Sequence, residues 1–182
     1  MLLATARDLF TDPGYDAVSQ ERLVTAAGLT RGALYHHFKD KADLFRAVLE
    51  ELETELTAEL EAILGGGPDF LSSTIAGLKA FLDACQRPEL LQMLVRDGPR
   101  VLGWDAWREF EQEYSLGMLE RHFGRAADEG LVLVAPIDVL ARMVLSACIE
   151  AGLLIEASPD PARTREDVEA ALVAMFAATV GA

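Results

Sequence analysis

The stretch Gly28-Leu29-Thr30-Arg31-Gly32-Ala33-Leu34-Tyr35-His36-His37-Phe38-Lys39-Asp40-Lys41 decides the fold. It reads as a helix of about two turns, set between a glycine turn and the start of a second helix. Leu34 and Phe38 are four apart and share a face predicted to be buried, while Arg31, Gly32, Tyr35 and His36 fall on the opposite face. A helix this short that presents an arginine, an aromatic ring and an imidazole outward is built to touch something. Thr30 is a favourable N-cap, and Gly28 permits the turn before it. Asp40, with Asp43 three residues on, caps a helix whose first residue is Lys41.

Upstream, Leu2, Leu3, Ala6, Leu9 and Phe10 recur at helical spacing until Asp12-Pro13-Gly14 stops them. Ser19 then caps a second short helix with Leu23, Val24 and Ala27 facing inward. Helix, turn, short helix, glycine turn, short helix is the helix-turn-helix order, in which the later helix enters the DNA major groove.

Downstream, Leu44, Phe45, Val48, Leu49, Leu52, Leu56, Leu60 and Ile63 keep the helical period until Gly65-Gly66-Gly67-Pro68. They predict one helix of roughly 24 residues, about 36 Å long. Glu50, Glu51, Glu53, Glu55, Glu59 and Glu61 read as its solvated face. Further helices are predicted over 70–85, 88–95 (before an Asp97-Gly98-Pro99 break), 105–129 as one piece, 136–157, and a last one capped by Thr164 with Asp167 and running to Val180. Val132-Leu133-Val134 reads as a connection rather than a strand. The fold expected is all-α with about nine helices: a helix-turn-helix domain over 1–48 and a helical domain over 49–182.

Charge divides the same way. The 182 residues carry a net charge of −14. Residues 1–48 hold six basic and six acidic side chains, so the whole excess belongs to the remainder. A neutral head on an acidic body suggests two tasks. No apolar run approaches the roughly 18 residues of a membrane span, and no basic-then-apolar leader is present, which predicts a soluble cytoplasmic protein without a membrane partner. Cys85 and Cys148 lack metal-ligand spacing and lie in apolar helical patterns, as buried reduced thiols do. His36 and His37 are adjacent on a helix and point about 100° apart, so they do not chelate one ion. No metal or cofactor is called for. Nor is an enzyme, since no nucleophile motif, phosphate loop or supported carboxylate pair is present and His122 stands alone beside Phe123.

The first fifty residues closely resemble the DNA-binding domain of the TetR family of bacterial transcriptional regulators. The resemblance rests on Ala6, Leu9, Phe10, Gly14-Tyr15, Ser19, Ala27 to Tyr35, His37-Phe38, Lys41 and Leu44. It implies that Arg31, Gly32 and His36 read base edges, with Thr30 at the helix start also among the DNA-binding residues. Tyr35, His37 and Lys41 would hold the DNA backbone, with Ser19 and Gln20 reaching a phosphate from the second helix. Family members carry basic residues before the first helix. Here the helix begins almost at residue 1, so either the start is truncated or no such arm exists.

The resemblance further implies a small-molecule effector site among the middle helices and a homodimer through the last two. Phe81, Cys85, Met93, Trp104, Trp107, Phe110, Tyr114, Met118 and Met143 could line an apolar pocket, with Arg96, Arg108 and Arg121 as polar anchors. The same residues also suit plain core. The 136–157 helix is apolar nearly all round, as a helix covered by a partner is. Ala147, Ala151 and Gly152 would permit close approach, and Val168, Leu172, Met175 and Phe176 would form the stripe beside them. The function expected is a ligand-responsive regulator, repression being the usual family behaviour, that binds a palindromic double-stranded DNA operator. The alternative is a helical ligand- or protein-binding module that has lost DNA binding.

Overall fold

The computed structural model describes residues 2–131 and 133–178, with every side chain in that span except that of Tyr35. Among the described residues the chain is all-α, with nine α-helices of seven or more residues and no strand. The order is α1 (Leu2–Thr11), α2 (Gln20–Ala26), α3 (Arg31–His37), α4 (Lys41–Gly66), α5 (Phe70–Ala84), α6 (Pro88–Leu90), a π-helical turn (Leu91–Asp97), α7 (Gly98–Leu102), α8 (Trp104–Glu113), α9 (Ser115–Asp128), α10 (Ile137–Glu156) and α11 (Pro161–Ala177). Two compact units emerge: Met1–Thr54 with Arg87–Glu109, and Glu55–Gln86 with Phe110–Ala182.

The helix starts follow the capping chemistry of the sequence. Ser19 Oγ accepts from the Arg22 N–H at 3.2 Å and Thr30 Oγ1 from the Ala33 N–H at 3.2 Å. Asp40 accepts from the Asp43 N–H at 2.9 Å, and Asp43 reaches back to the Lys39 N–H at 3.0 Å. Each such cap stabilises a short helix by about 1 kcal/mol, which matters most for α2 and α3, too short to persist alone.

In the first unit the core gathers on an aromatic trio. Phe10 meets Phe45 edge-on at 5.3 Å, and Tyr15 lies 5.5 Å from Phe10 and 5.0 Å from Phe45. Leu23, Leu34, Leu44, Val48 and Leu49 complete it, all buried. The second unit packs α5, α9, α10 and α11 around Leu82, Leu116, Phe123, Leu145, Ile155, Leu172 and Phe176.

Five expectations change. The helix predicted over 105–129 is two helices, broken at Tyr114 (φ −109°, ψ −98°). Gly117 makes the bend possible, since a Cβ there would lie 2.7 Å from the Gln112 carbonyl oxygen. Asp97-Gly98-Pro99 is no break: Pro99 occupies the first turn of α7, where its missing N–H costs nothing, and the helical path ends only at Gly103, φ +79°. The last helix is capped by Asp160, which accepts from the Arg163 N–H at 3.1 Å with Pro161 at the first position; Thr164 is already inside, its hydroxyl 2.6 Å from that of Ser158. Glu53 is 5% exposed, so it does not belong to a solvated face. Phe38, expected on the inner face of α3, is its extended C-cap and half-buried. Val132 and Val180 lie outside the described residues.

Trp107 is the wedge of the first unit. A Cβ on Gly98 would stand 2.4 Å from its Cζ3, 2.8 Å from its Cη2 and 3.0 Å from the Met93 carbonyl oxygen. Gly98→Ala is expected to lower stability by about 1–3 kcal/mol in urea unfolding, because overpacking outweighs the roughly 1 kcal/mol gain in helix propensity. Unchanged stability would show that the indole has room to move.

Candidate nucleic-acid interface and effector cavity

α3 is held from beneath by Leu34, 3% exposed, and presents Thr30, Arg31, Gly32, His36 and His37 to solvent. The two imidazoles meet edge-on with centroids 5.0 Å apart, and no metal-binding cluster occurs among the described residues. Arg31 lies 3.6 Å from Glu21 of α2, both side chains about two-thirds exposed, a pairing weak enough in water to open for a stronger partner. Ser19 is exposed with its hydroxyl on the α2 cap, and Gln20 beside it is half-buried. Tyr35 sits on α3, its side chain outside the described residues.

Lys41 is placed differently from a plain surface lysine. Its ammonium donates to the carbonyls of Tyr15 at 2.9 Å and Val18 at 3.0 Å and lies 3.9 Å from the Tyr15 ring centroid. Burial lowers its pKa, an effect that Arg100 adds to and that Asp16 and Asp97 oppose. Lys41 thus ties the start of α4 to the loop before α2.

Within the second unit lies a cavity of about 50 Å³. Leu60, Leu64, Leu78, Phe81, Met118, Leu119, Phe123, Val144, Leu145, Cys148 and Phe176 supply its apolar wall, with Gly77, Thr74, Ser115 and His122. Of the nine pocket residues expected from sequence, only Phe81 and Met118 line it. Met93, Trp104 and Trp107 belong to the other unit; Met93 and Trp107 are core, and Trp104 is 66% exposed under the Arg108 guanidinium at 4.7 Å. Cys85 is packed on Gly152, Phe110 pairs with Tyr114 at 4.9 Å, and Met143 is 64% exposed. The proposed anchors are absent too: Arg96 and Arg108 belong to the first unit, and Arg121 pairs with Glu61 at 2.7 Å. Both cysteines are free and buried, and burial pushes each thiol up to about 12.

The sequence leaves Thr74 unremarked and His122 a lone helical residue because each is a polar residue on an apolar helix face, a signal that gains meaning only when two such faces meet. The Thr74 hydroxyl donates to the Phe70 carbonyl at 2.7 Å, so the 2.8 Å contact with His122 is donated by Nε2–H of the imidazole. Phe70 stacks on the same ring at 4.8 Å. Burial, helped by Arg125, drives the His122 pKa down to about 4, so the ring is neutral at pH 7.

Comparison with known proteins bears on both units. Residues 2–48 match the family described as bacterial regulatory proteins, tetR family, and residues 71–179 the tetracyclin repressor-like C-terminal domain. The chain belongs to the TetR family. It is a helix-turn-helix, DNA-binding transcriptional regulator. The HTH-type transcriptional repressor AcnR of Corynebacterium diphtheriae is 32% identical over 144 residues, 76% of this chain and 70% of AcnR. The HTH-type transcriptional repressor Rv1474c of Mycobacterium tuberculosis is 40% identical over 106 residues, 57% of this chain and 54% of that one. A solved TetR-family transcriptional regulator from Pectobacterium atrosepticum is 31% identical, with a TM-score of 0.81, and the match covers all of this chain and 93% of that one. The two relatives are transcriptional repressors, and TetR-family regulators bind DNA operators and effectors, typically as dimers.

His122 gives this TetR-family chain a pH signature. Its folded pKa of about 4 lies below the ordinary 6.5, so between those values the unfolded chain binds more protons and stability falls as pH falls. The stabilisation is fully present above pH 6.5 and is lost through pH 4, a difference of roughly 3 kcal/mol. His122→Phe is expected to flatten that part of the profile in urea unfolding from pH 7 to pH 4. An unchanged slope would place the acid sensitivity elsewhere.

Proposed function

We propose that the chain represses transcription in the bacterial cytoplasm as a homodimer that reads a near-palindromic DNA operator with α3 and releases it when a small, neutral, largely apolar effector enters the cavity. The observation that carries this is the outward face of α3. Arg31, Gly32 and His36, with Thr30 beside them, are the base-reading set: Arg31 can grip guanine O6 and N7, and Gly32 lets the backbone approach. Tyr35, His37, Ser19 and Gln20 hold phosphates and set register. Lys41 contributes its remaining ammonium proton and the free N–H groups at the start of α4.

An exposed apolar stripe supports the dimer. Val139, Met143 and Leu154 lie on one side of α10, and Met175 is exposed on α11. Ala151, Gly152, Leu172 and Phe176 are buried within the chain's own core, so the partner meets the stripe rather than those residues. Two copies of α3 would then enter successive major grooves about one DNA turn apart. The acidic remainder of each chain repels DNA and confines contact to the heads, which makes affinity salt-sensitive.

Chemistry of the lining defines the effector. The cavity of about 50 Å³ is far below the several hundred Å³ typical of ligand sites, so a ligand must part Leu64, Phe81 and Met118 to enter. No ionised side chain lines it and His122 is neutral, so a charged ligand would be buried without a counter-charge. The effector acts only by binding the DNA-incompetent state more tightly.

Selection from a random duplex pool, followed by binding titrations, tests the reading. Arg31→Ala is expected to relax preference at one base position, a loss of about 1–3 kcal/mol in discrimination, whereas His37→Ala weakens all sequences alike. Equal effects of the two would sink that division, and failure to enrich any sequence would favour a module that does not bind DNA. Met143→Glu is expected to shift sedimentation at micromolar concentration from dimer to monomer; a variant that stays dimeric puts the interface elsewhere.

A further inference from the structure

The loop over residues 12–19 launches α2, and it is gripped from a part of the chain far outside the helix-turn-helix. The Tyr15 N–H donates to Asp97 Oδ2 at 3.2 Å. Asp97 is 4% exposed and also accepts from Gln92 Nε2 at 3.0 Å and Arg100 Nη2 at 2.7 Å. The other terminal nitrogen of Arg100 lies 2.7 Å from Asp16 Oδ2. Gly14, at φ +97°, lets the loop press against this group; a Cβ there would lie 3.4 Å from Gln92 Nε2 and 3.9 Å from Asp97 Oδ2. Tyr15 is therefore fixed three ways: its N–H by a carboxylate, its carbonyl by the Lys41 ammonium, and its ring between Phe10 and Phe45.

We propose that Asp97 and Arg100 are positioning residues for DNA recognition, which hold the 12–19 loop and so set where α2 and α3 present their contacts. A carboxylate this buried is costly unless it is matched by donors, and three are aimed at it. Burial resists its ionisation, and the bonds from Arg100, Gln92 and the Tyr15 amide outweigh that and keep the carboxyl below its ordinary range. Gln92 and Arg100 belong to the same helical stretch as Asp97, so among the described residues the hydrogen bond that Asp97 accepts from outside that stretch is the one from the amide of the loop. Gln86 before the stretch and Phe110 after it are residues of the unit that holds the cavity.

The inference rests on α3 being the DNA-reading helix, and the experiment separates the two. A duplex enriched by the wild-type chain from a random pool is titrated by fluorescence anisotropy with full-length Asp97→Asn, Arg100→Gln and Arg31→Ala. In Asp97→Asn the new amide nitrogen sets donor against donor at Arg100 or Tyr15. We expect a loss of about tenfold for Asp97→Asn and about threefold for Arg100→Gln, the same on single-base variants of the duplex. The slope of log affinity against log salt should not change, because neither residue touches a phosphate. Amide exchange at residues 15–18 should quicken in Asp97→Asn while α10 stays protected. Affinity within twofold of wild type for Asp97→Asn, an altered base preference, or a reduced salt slope for Arg100→Gln would each overturn the proposal. Should Asp97→Asn fail to fold, Arg100→Gln decides it, a uniform threefold loss supporting the proposal and unchanged affinity overturning it. If Arg31→Ala also binds like wild type, the α3 reading itself has failed.

Discussion

The first unit depends on how Tyr15 is anchored. A seven-residue helix such as α3 has no stability of its own, and its pose is inherited from whatever fixes the elements beside it. Here the fixing is polar and local at one residue: an ammonium takes the carbonyl, a carboxylate takes the amide, and two phenyl rings take the side chain. Each bond is worth only about 1–3 kcal/mol, but all act on a loop that leads within four residues to the Ser19 cap. Small energies suffice because they remove freedom at the root of the motif rather than at its tip.

The second unit solves a different problem. Its cavity is small and its wall mainly apolar, yet it contains a hydrogen-bonded Thr74–His122 pair under a stacked ring. A satisfied polar pair inside an apolar wall specifies which helix faces meet, since any slip of α5 against α9 would strand two buried polar groups. Keeping the imidazole neutral is part of the same arrangement.

Local chemistry was legible in the sequence and assembly was not. Ser19, Thr30 and Asp40 announce their caps because a cap is a contact across three residues, and the 3.6-residue period of α1, α4 and α10 announces itself in the same way. Tyr114 could not be read as a break, because the aromatic spacing continues across it and only the approach of Gly117 to the Gln112 carbonyl shows the bend. Pro99 misled in the opposite sense, since a proline in the first turn of a helix is indistinguishable in sequence from one that ends the helix before it. The candidate site divides likewise. The exposed face of α3 follows from its own period, whereas the cavity is made where several helices meet, and the aromatic and thioether side chains legible in the sequence include Phe81 and Met118 of its wall but not Leu60, Thr74 or His122. Asp97 carried no signal at all: a single carboxylate gains its meaning from an amide 82 positions away.

The discontinuity of the first unit has a consequence for anyone who treats regulators of this kind as exchangeable parts. The unit closes on itself only when residues 87–109 are present, so a seam drawn after the helix-turn-helix cuts through a hydrogen-bonded network rather than a linker. A chimera that carries this head on another regulator's body would keep Lys41 and lose Asp97, leaving the Tyr15 amide unmatched and the loop held from one side. Transplantable specificity in this chain is thus a property of two segments inherited together, and sequence divergence in one should be tolerated only where the other accommodates it.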